Sequence, residues 1–322
     1  MPQQVRRSWL IIPATKPDLI ERSGTFGADV IVFDLEDMVH ESRKFEARAR
    51  IKDGIAQARH GGAEVFVRCD LELLYADLEA SVWRGLDGVI LPKVSRVDEI
   101  NDAEEILGRL ELERGVVRAA LAGEVNEADD ARTLDNSLEL HLSLENAKGN
   151  HDGLALMTAS RRIRSVSLGR ADLVMDLRPE PSGDLHLLPY LMQRLIIMAK
   201  TAGVTPIGAW WQSRSRGMRA GPEVTERAAR LGRAAGFKGA LCVDPDQVDA
   251  LNRGFTPTLE EVDTARSIAE AFSDAEAAGR PYAQVGDALI DRAGAGASQA
   301  CLDWAAECAA REAGKARLAQ TV

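Results

Sequence analysis

Eight short apolar runs punctuate the chain: Ser8–Ala14, Val30–Asp37, Glu64–Asp70, Gly88–Val94, Leu140–Asn146, Ser165–Asp172, Thr205–Trp210 and Gly239–Asp244. Their apolar positions are nearly continuous and do not alternate with polar ones. That is the pattern of parallel strands covered on both faces. Helical patterns fill the gaps, at Asp18–Phe26, Glu41–His60, Leu71–Trp83, Val97–Leu112, Gly153–Ile163, Leu188–Ala202, Pro222–Ala235 and Leu259–Ala278. A strand followed by a helix, repeated eight times, predicts a TIM (β/α)8 barrel. A doubly wound open sheet is the alternative. It would carry a Gly-rich first turn, which Pro13-Ala14-Thr15-Lys16 does not supply.

Two stretches break the repeat. Residues 113–137 are acidic with little apolar periodicity, and read as a solvated excursion between helix 4 and strand 5. After Gly279-Arg280-Pro281 comes a tail with a helical pattern from about Ser298. It is too short to fold alone. The expected division is a barrel over 1–280 and an extension over 281–322 that packs on the barrel or on a neighbouring subunit.

Composition narrows the class. The net charge is −10 and aromatics are 5% of residues, so no basic, ring-bearing surface for nucleic acid is expected. No apolar run approaches the roughly 18 residues of a membrane span. Arg6-Arg7 raises the question of an export signal, but the apolar stretch Trp9–Ile12 stops at Pro13 and reads as a buried strand. The four cysteines form no CxxC pair, which argues against structural zinc and suits a reducing cytoplasm.

In such a barrel the chemistry collects where strands end. Run 2 ends in Asp34-Leu35-Glu36-Asp37, three carboxylates that need a cation or strong donors to share them, unless they cap a helix. Run 3 ends in Arg68, suited to a bidentate carboxylate contact, either with substrate or with Glu36 or Asp37. Run 4 carries Lys93, a Schiff-base lysine or a salt-bridge partner of the acids. Runs 5 and 6 end in Glu145 and Asp172. Two carboxylates on adjacent strand ends can hold one magnesium ion and leave positions open for a ligand. Taken singly, each could instead pair with a nearby Arg or Lys.

These segments, in order, resemble the HpcH/HpaI aldolase–citrate lyase family, on its citrate lyase β-subunit-like and malyl-CoA lyase-like branch. The resemblance is carried by RSWLIIPATKPDLIERSGTFGADVIVFDLEDMV (7–39), VFVRCD (65–70), GLDGVILPKV (85–94), LSLENAKG (142–149), LGRADL (168–173), AGFKGALCVDPDQVDALNRGFTPT (235–258) and VGDALID (285–291). It implies a magnesium-dependent carbon–carbon lyase acting on a 2-keto or 3-hydroxy acid derivative, as an acyl-CoA thioester of the malyl-CoA or citramalyl-CoA type. It also admits a class II-type aldolase without CoA, or an acyl-CoA thioesterase on the same scaffold. Glu145 and Asp172 map to the metal ligands and Arg68 to the keto-acid contact. Glu36 and Asp37 map to acids that hold metal-bound water, and Asp291 to an acid–base group often delivered by a neighbouring subunit. A homotrimer or hexamer follows from the same resemblance. The HpaI-type aldolases carry a histidine in the strand 2 motif, which is absent here. The chain departs from the pattern at Ala14-Thr15-Lys16, at Gly208-Ala209-Trp210-Trp211, at Val243-Asp244-Pro245 and at Met192, where an arginine is common. The metal residues are kept, while those around the thioester and nucleotide have changed.

Overall fold

The computed structural model describes residues 4–116, 137–178, 188–211 and 220–319. Eight strands form one parallel sheet: β1 (Ser8–Pro13), β2 (Val30–Asp34), β3 (Glu64–Arg68), β4 (Gly88–Leu91), β5 (Glu139–Leu144), β6 (Ile163–Leu168), β7 (Thr205–Ile207) and β8 (Ala240–Cys242). Their order is β7-β6-β5-β4-β3-β2-β1-β8. The seam between β7 and β8 is closed by Gly208 N–H to Gly239 O (2.6 Å) and Lys238 N–H to Pro206 O (3.1 Å). The result is the (β/α)8 barrel.

The helices are α1 (Pro17–Glu21), α2 (Lys44–His60), α3 (Leu74–Ser81), α4 (Val97–Arg114), α5 (Ala147–His151), α6 (Gly153–Met157), α7 (Arg170–Leu177), α8 (Leu188–Ala202), α9 (Pro222–Ala235), α10 (Val248–Phe255), α11 (Leu259–Ala277) and α12 (Arg292–Ala319). Among the described residues no helix is long and apolar enough to cross a membrane.

Strand alternation divides the apolar residues between two compartments. Leu10, Ile12, Ile31, Phe33, Val65 and Val67 face outward to the helices, whereas Trp9, Ile11, Val30, Val32, Phe66 and Ile90 fill the barrel. Both faces are buried, so β1 to β4 are apolar at nearly every position, whereas β5 and β6 carry the buried polar residues His141, Ser143, Ser165 and Ser167. The floor is polar. Arg6 bonds Glu64 (2.5 Å) and Glu139 (2.6 Å), the first residues of β3 and β5. Arg6 and Arg7 are therefore fully engaged in ion pairs beneath β1.

The tail differs from its expected form. A two-stranded hairpin, β9 (Ala283–Val285) and β10 (Ala288–Ile290), precedes a helix that starts at Arg292. Gly286 takes φ 57 in the two-residue turn, the left-handed conformation such turns require. Further along, α12 reaches the floor of the barrel. Lys315 bonds Asp29 (2.7 Å) and Gly27 O (3.0 Å), Arg311 bonds Asp29 O (2.7 Å), and Arg7 bonds Glu312. The pattern at Gly153–Ile163 also resolves differently: only α6, Gly153–Met157, is helical there, the short helix α5 precedes it, and Ile163 begins β6. Of the acidic excursion, α4 runs to Arg114 and Gly115 ends it at φ 57; residues 117–136 lie outside the described residues.

Candidate active site

The strand ends open on a cavity of about 550 Å³. One wall is polar and includes Asp37, Arg68, Ser143, Glu145, Arg170 and Asp172. The other is apolar, with Met192, Ile207, Trp211, Phe237, Leu241 and Val243. Three of the positions that depart from the family pattern, Met192, Trp211 and Val243, thus belong to the apolar wall.

Arg68 ends β3 directly opposite Asp34, the last residue of β2. Its guanidinium grips Asp34 with two parallel bonds, Nε–Oδ1 (2.6 Å) and Nη2–Oδ2 (2.9 Å). Glu36 stands 3.4 Å from Nη1. The sequence suggests Glu36 or Asp37 as the partner; Glu36 is one, but the bidentate contact falls to Asp34, because strand register puts it alongside. Asp34 also accepts the backbone N–H groups of Glu36 (3.2 Å) and Met38 (2.8 Å), so it shapes the loop that follows. Lys44 braces that loop from behind, donating to Leu35 O at 2.8 Å.

Lys93 bonds Glu36 (2.6 Å) and Asp37 (2.9 Å) and does not line the cavity. These two carboxylates raise its pKa. A Schiff-base lysine needs a neutral amine, so the salt-bridge reading of Lys93 fits and the covalent one does not. Its backbone is left-handed (φ 55), and its carbonyl accepts the Asn146 amide at 2.8 Å. That bond ties the β4 end to the β5 end.

Glu145 follows β5 and is almost fully buried. Burial pushes its pKa up to about 7, with Glu36 and Asp172 adding like-charge repulsion; a Ser143 hydrogen bond and Arg68 oppose the shift. Behind it runs a buried chain, from His141 Nε2 to Ser167 Oγ (2.8 Å) and on to Ser143 Oγ (3.2 Å). His141 is held neutral, its pKa lowered to about 3 by desolvation.

Asp172 is not on a strand. β6 stops at Leu168, the chain turns at Gly169, and Asp172 sits in the first turn of α7. The carboxylate still reaches the cavity beside Glu145 because two bonds clamp the loops. Gly169 N–H donates to Leu144 O (3.1 Å) and Ala147 N–H to Asp176 Oδ2 (2.6 Å). The glycine is required by space: a Cβ there would lie 2.3 Å from Glu145 Cγ. Among the described residues no group of three or more His, Cys, Asp or Glu is arranged to hold a metal ion by itself. Glu145 and Asp172 offer two carboxylates to one cavity, a set that would suit a hard cation that keeps waters and bonds substrate. A cation would also offset the crowding of Glu145 by Asp172 and Glu36.

Asp291 stands apart. It is exposed at the start of α12, where it accepts Gly294 N–H (2.8 Å), and it does not line the cavity of its own subunit. Asp34 and Arg170 were not singled out from sequence. Asp34 is visible in the sequence as one of three acids, without any sign that it would take the bidentate contact with Arg68 while Glu36 stands at Nη1.

The sequence and the barrel are matched by known proteins. The model of the HpcH/HpaI aldolase/citrate lyase family matches residues 7–245. The chain belongs to that family. It is 29% identical over 291 residues to the citrate lyase subunit beta of Escherichia coli (strain K12), covering 89% of each chain. It is 28% identical over 290 residues to a (3S)-malyl-CoA thioesterase of Cereibacter sphaeroides (strain ATCC 17029), covering 88% of this chain and 89% of the relative. Its fold is that of the protein CitE from Mycobacterium tuberculosis, solved with magnesium, acetoacetate and coenzyme A. The TM-score is 0.67 at 18% identity, over 94% of this chain and 98% of that one.

Proposed function

We propose that this family member is a magnesium-dependent carbon–carbon lyase that cleaves or forms the bond between a 2-oxo acid and the α-carbon of an acyl-CoA thioester. The observation that carries it is that Glu145 and Asp172 face one cavity beside an arginine already fixed by Asp34. Glu145 and Asp172 would hold the ion. Bound there, it supplies Lewis-acid polarisation of the 2-oxo or 2-hydroxy oxygen. The magnesium-bound Mycobacterium tuberculosis relative of the same fold supports this choice of ion.

The chain's own groups do the rest. Arg68 stays charged, since Asp34 and Glu36 raise its pKa, and it offers a preorganised donor to the oxygen that gains charge as the bond breaks. Cleavage passes the hydroxyl proton to water, makes that carbon a carbonyl, and leaves the electron pair of the broken carbon–carbon bond on the thioester's α-carbon as an enolate. The enolate then takes a proton. Asp291 would deliver it from a second copy of the chain in a trimer or hexamer, because within its own subunit it lies away from the cavity. Glu36 and Asp37, held by Lys93, would orient water on the ion.

Incubation with malyl-CoA tests the reading directly. Lyase action yields a 2-oxo acid and a thioester with no free thiol. Hydrolysis, the activity named for the Cereibacter sphaeroides relative, yields free thiol and no 2-oxo acid. Glu145→Ala and Asp172→Ala should abolish magnesium-dependent turnover; full activity in either would refute the metal assignment.

A further inference from the structure

Trp9, Val32 and Phe66 fill the barrel with carbon, but β5 and β6 do the opposite. Strand alternation sets His141 and Ser143 in one column below Glu145, and the register places Ser165 beside His141 and Ser167 beside Ser143. All four side chains are buried. Polar groups in such a place cost stability unless they are bonded. Here they bond one another: Ser165 Oγ to His141 Nδ1 (2.8 Å), His141 Nε2 to Ser167 Oγ (2.8 Å), and Ser167 Oγ to Ser143 Oγ (3.2 Å). Ser143 in turn bonds the Glu145 carboxylate. None of the four takes part in the reaction proposed above.

The chain of bonds has one sense when Glu145 is ionised. A carboxylate only accepts, so Ser143 must spend its single hydrogen on Glu145. Ser167 must then donate to Ser143, and it can only accept from His141 Nε2–H. The imidazole is neutral in this desolvated place, so its bare Nδ1 accepts the hydrogen of Ser165. Every hydrogen thus points toward Glu145. The ring itself is held against Trp9, with centroids 5.0 Å apart.

We propose that His141 is a positioning residue for Glu145: carrying its proton on Nε2, it acts through Ser167 and Ser143 to aim a donor at the carboxylate and hold it as a metal ligand. This rests on the reading of Glu145 as a magnesium ligand. A ligand carboxylate is itself oriented by hydrogen bonds from behind, and losing such a partner weakens metal binding. His141 touches neither the cavity nor the substrate, and its effect reaches the site only along the serines.

Two measurements on the full chain test this. In protein labelled with nitrogen-15 and saturated with magnesium, long-range proton–nitrogen spectra should show His141 as the Nε2–H tautomer, its signals assigned by their loss in His141→Gln. The Nδ1–H tautomer would overturn the proposal. Magnesium titration calorimetry is the second. Ser143→Ala should lose about tenfold or more in affinity, the usual scale for a partner of a metal ligand. His141→Gln, whose amide also carries a donor and an acceptor, should stay within about twofold of wild type. His141→Phe, which fills the space against Trp9 but bonds neither serine, should lose about threefold or more. Equal affinities in these two variants would reduce His141 to packing and overturn the proposal, as would wild-type affinity in Ser143→Ala. If His141→Phe fails to fold, the tautomer and Ser143→Ala still decide. Glu145→Ala separates this inference from the reading beneath it. If that variant loses magnesium and Ser143→Ala does not, the chain to His141 alone is refuted. If it binds magnesium as the wild type does, the metal assignment falls and this inference with it.

Discussion

Gly169 leaves no room for a side chain because Glu145 occupies it: a Cβ would sit 2.3 Å from Glu145 Cγ and 2.6 Å from its Cδ. Glycine is used here for close approach, since its φ of −79° is open to any residue. Gly169→Ala should therefore push the Glu145 carboxylate off its position and leave the barrel standing. Magnesium affinity should fall about tenfold or more, as when an orienting contact of a metal ligand is lost. The melting temperature should move little, because the side chain of Glu145 can swing aside. Calorimetry and thermal melting on the same sample test both halves.

Asp34→Asn should cripple Arg68 without touching a metal ligand. The substitution keeps the volume but replaces a bidentate carboxylate with one acceptor oxygen. A cost of about 1.5–3 kcal/mol in unfolding free energy is expected for the charged hydrogen bond lost. Turnover should fall more than substrate affinity, because Arg68 acts on charge that grows during the reaction. An unchanged kcat would show that Arg68 needs no anchor.

Glu145 makes the site pH-dependent. Its pKa near 7 exceeds the usual 4.5 through burial, and only the ionised carboxylate ligates a cation. Magnesium affinity should rise with pH and level off above 7, being about tenfold weaker at pH 6 than on the plateau. For the metal-free fold the sign is opposite. The raised pKa favours the folded state below pH 4.5, and this contribution is lost as pH rises through 7. Glu145→Gln should remove that loss. A pH-independent magnesium isotherm between pH 6 and 8 would contradict the shift.

At the other end of the barrel, Asp29 is fully buried among Arg7, Arg311 and Lys315, which bring its pKa from 3.8 down to about 2 against the cost of desolvation. Its contribution, on the order of 2 kcal/mol, is complete above pH 3.8 and disappears as pH falls through 2. Lys315→Met should weaken this and loosen α12 from the floor, since Lys315 also bonds Gly27 O. Faster proteolysis of the tail with an intact barrel is the expected readout in Lys315→Met; protection equal to wild type would place the docking energy elsewhere.

The sequence determined the architecture. Parallel strands buried on two faces are apolar at nearly every position, and that leaves an unmistakable series of runs such as Val30–Phe33 and Val65–Val67. It also placed Glu145 next to the end of its strand and set Arg68 at the end of β3. Tertiary structure decided the pairings. Which of Asp34, Glu36 and Asp37 meets Arg68 depends on the β2–β3 register, which pairs Asp34 with Arg68. Asp172 reads from the sequence as a strand end and lies on a helix, because β6 stops at Leu168 and the chain turns at Gly169, where Glu145 leaves no room for a side chain. The hairpin before α12 was hidden in a short run around Gly286. Arg170 looked like any helix-opening arginine. Only the fold brings it to the wall of the cavity that Asp172 also lines.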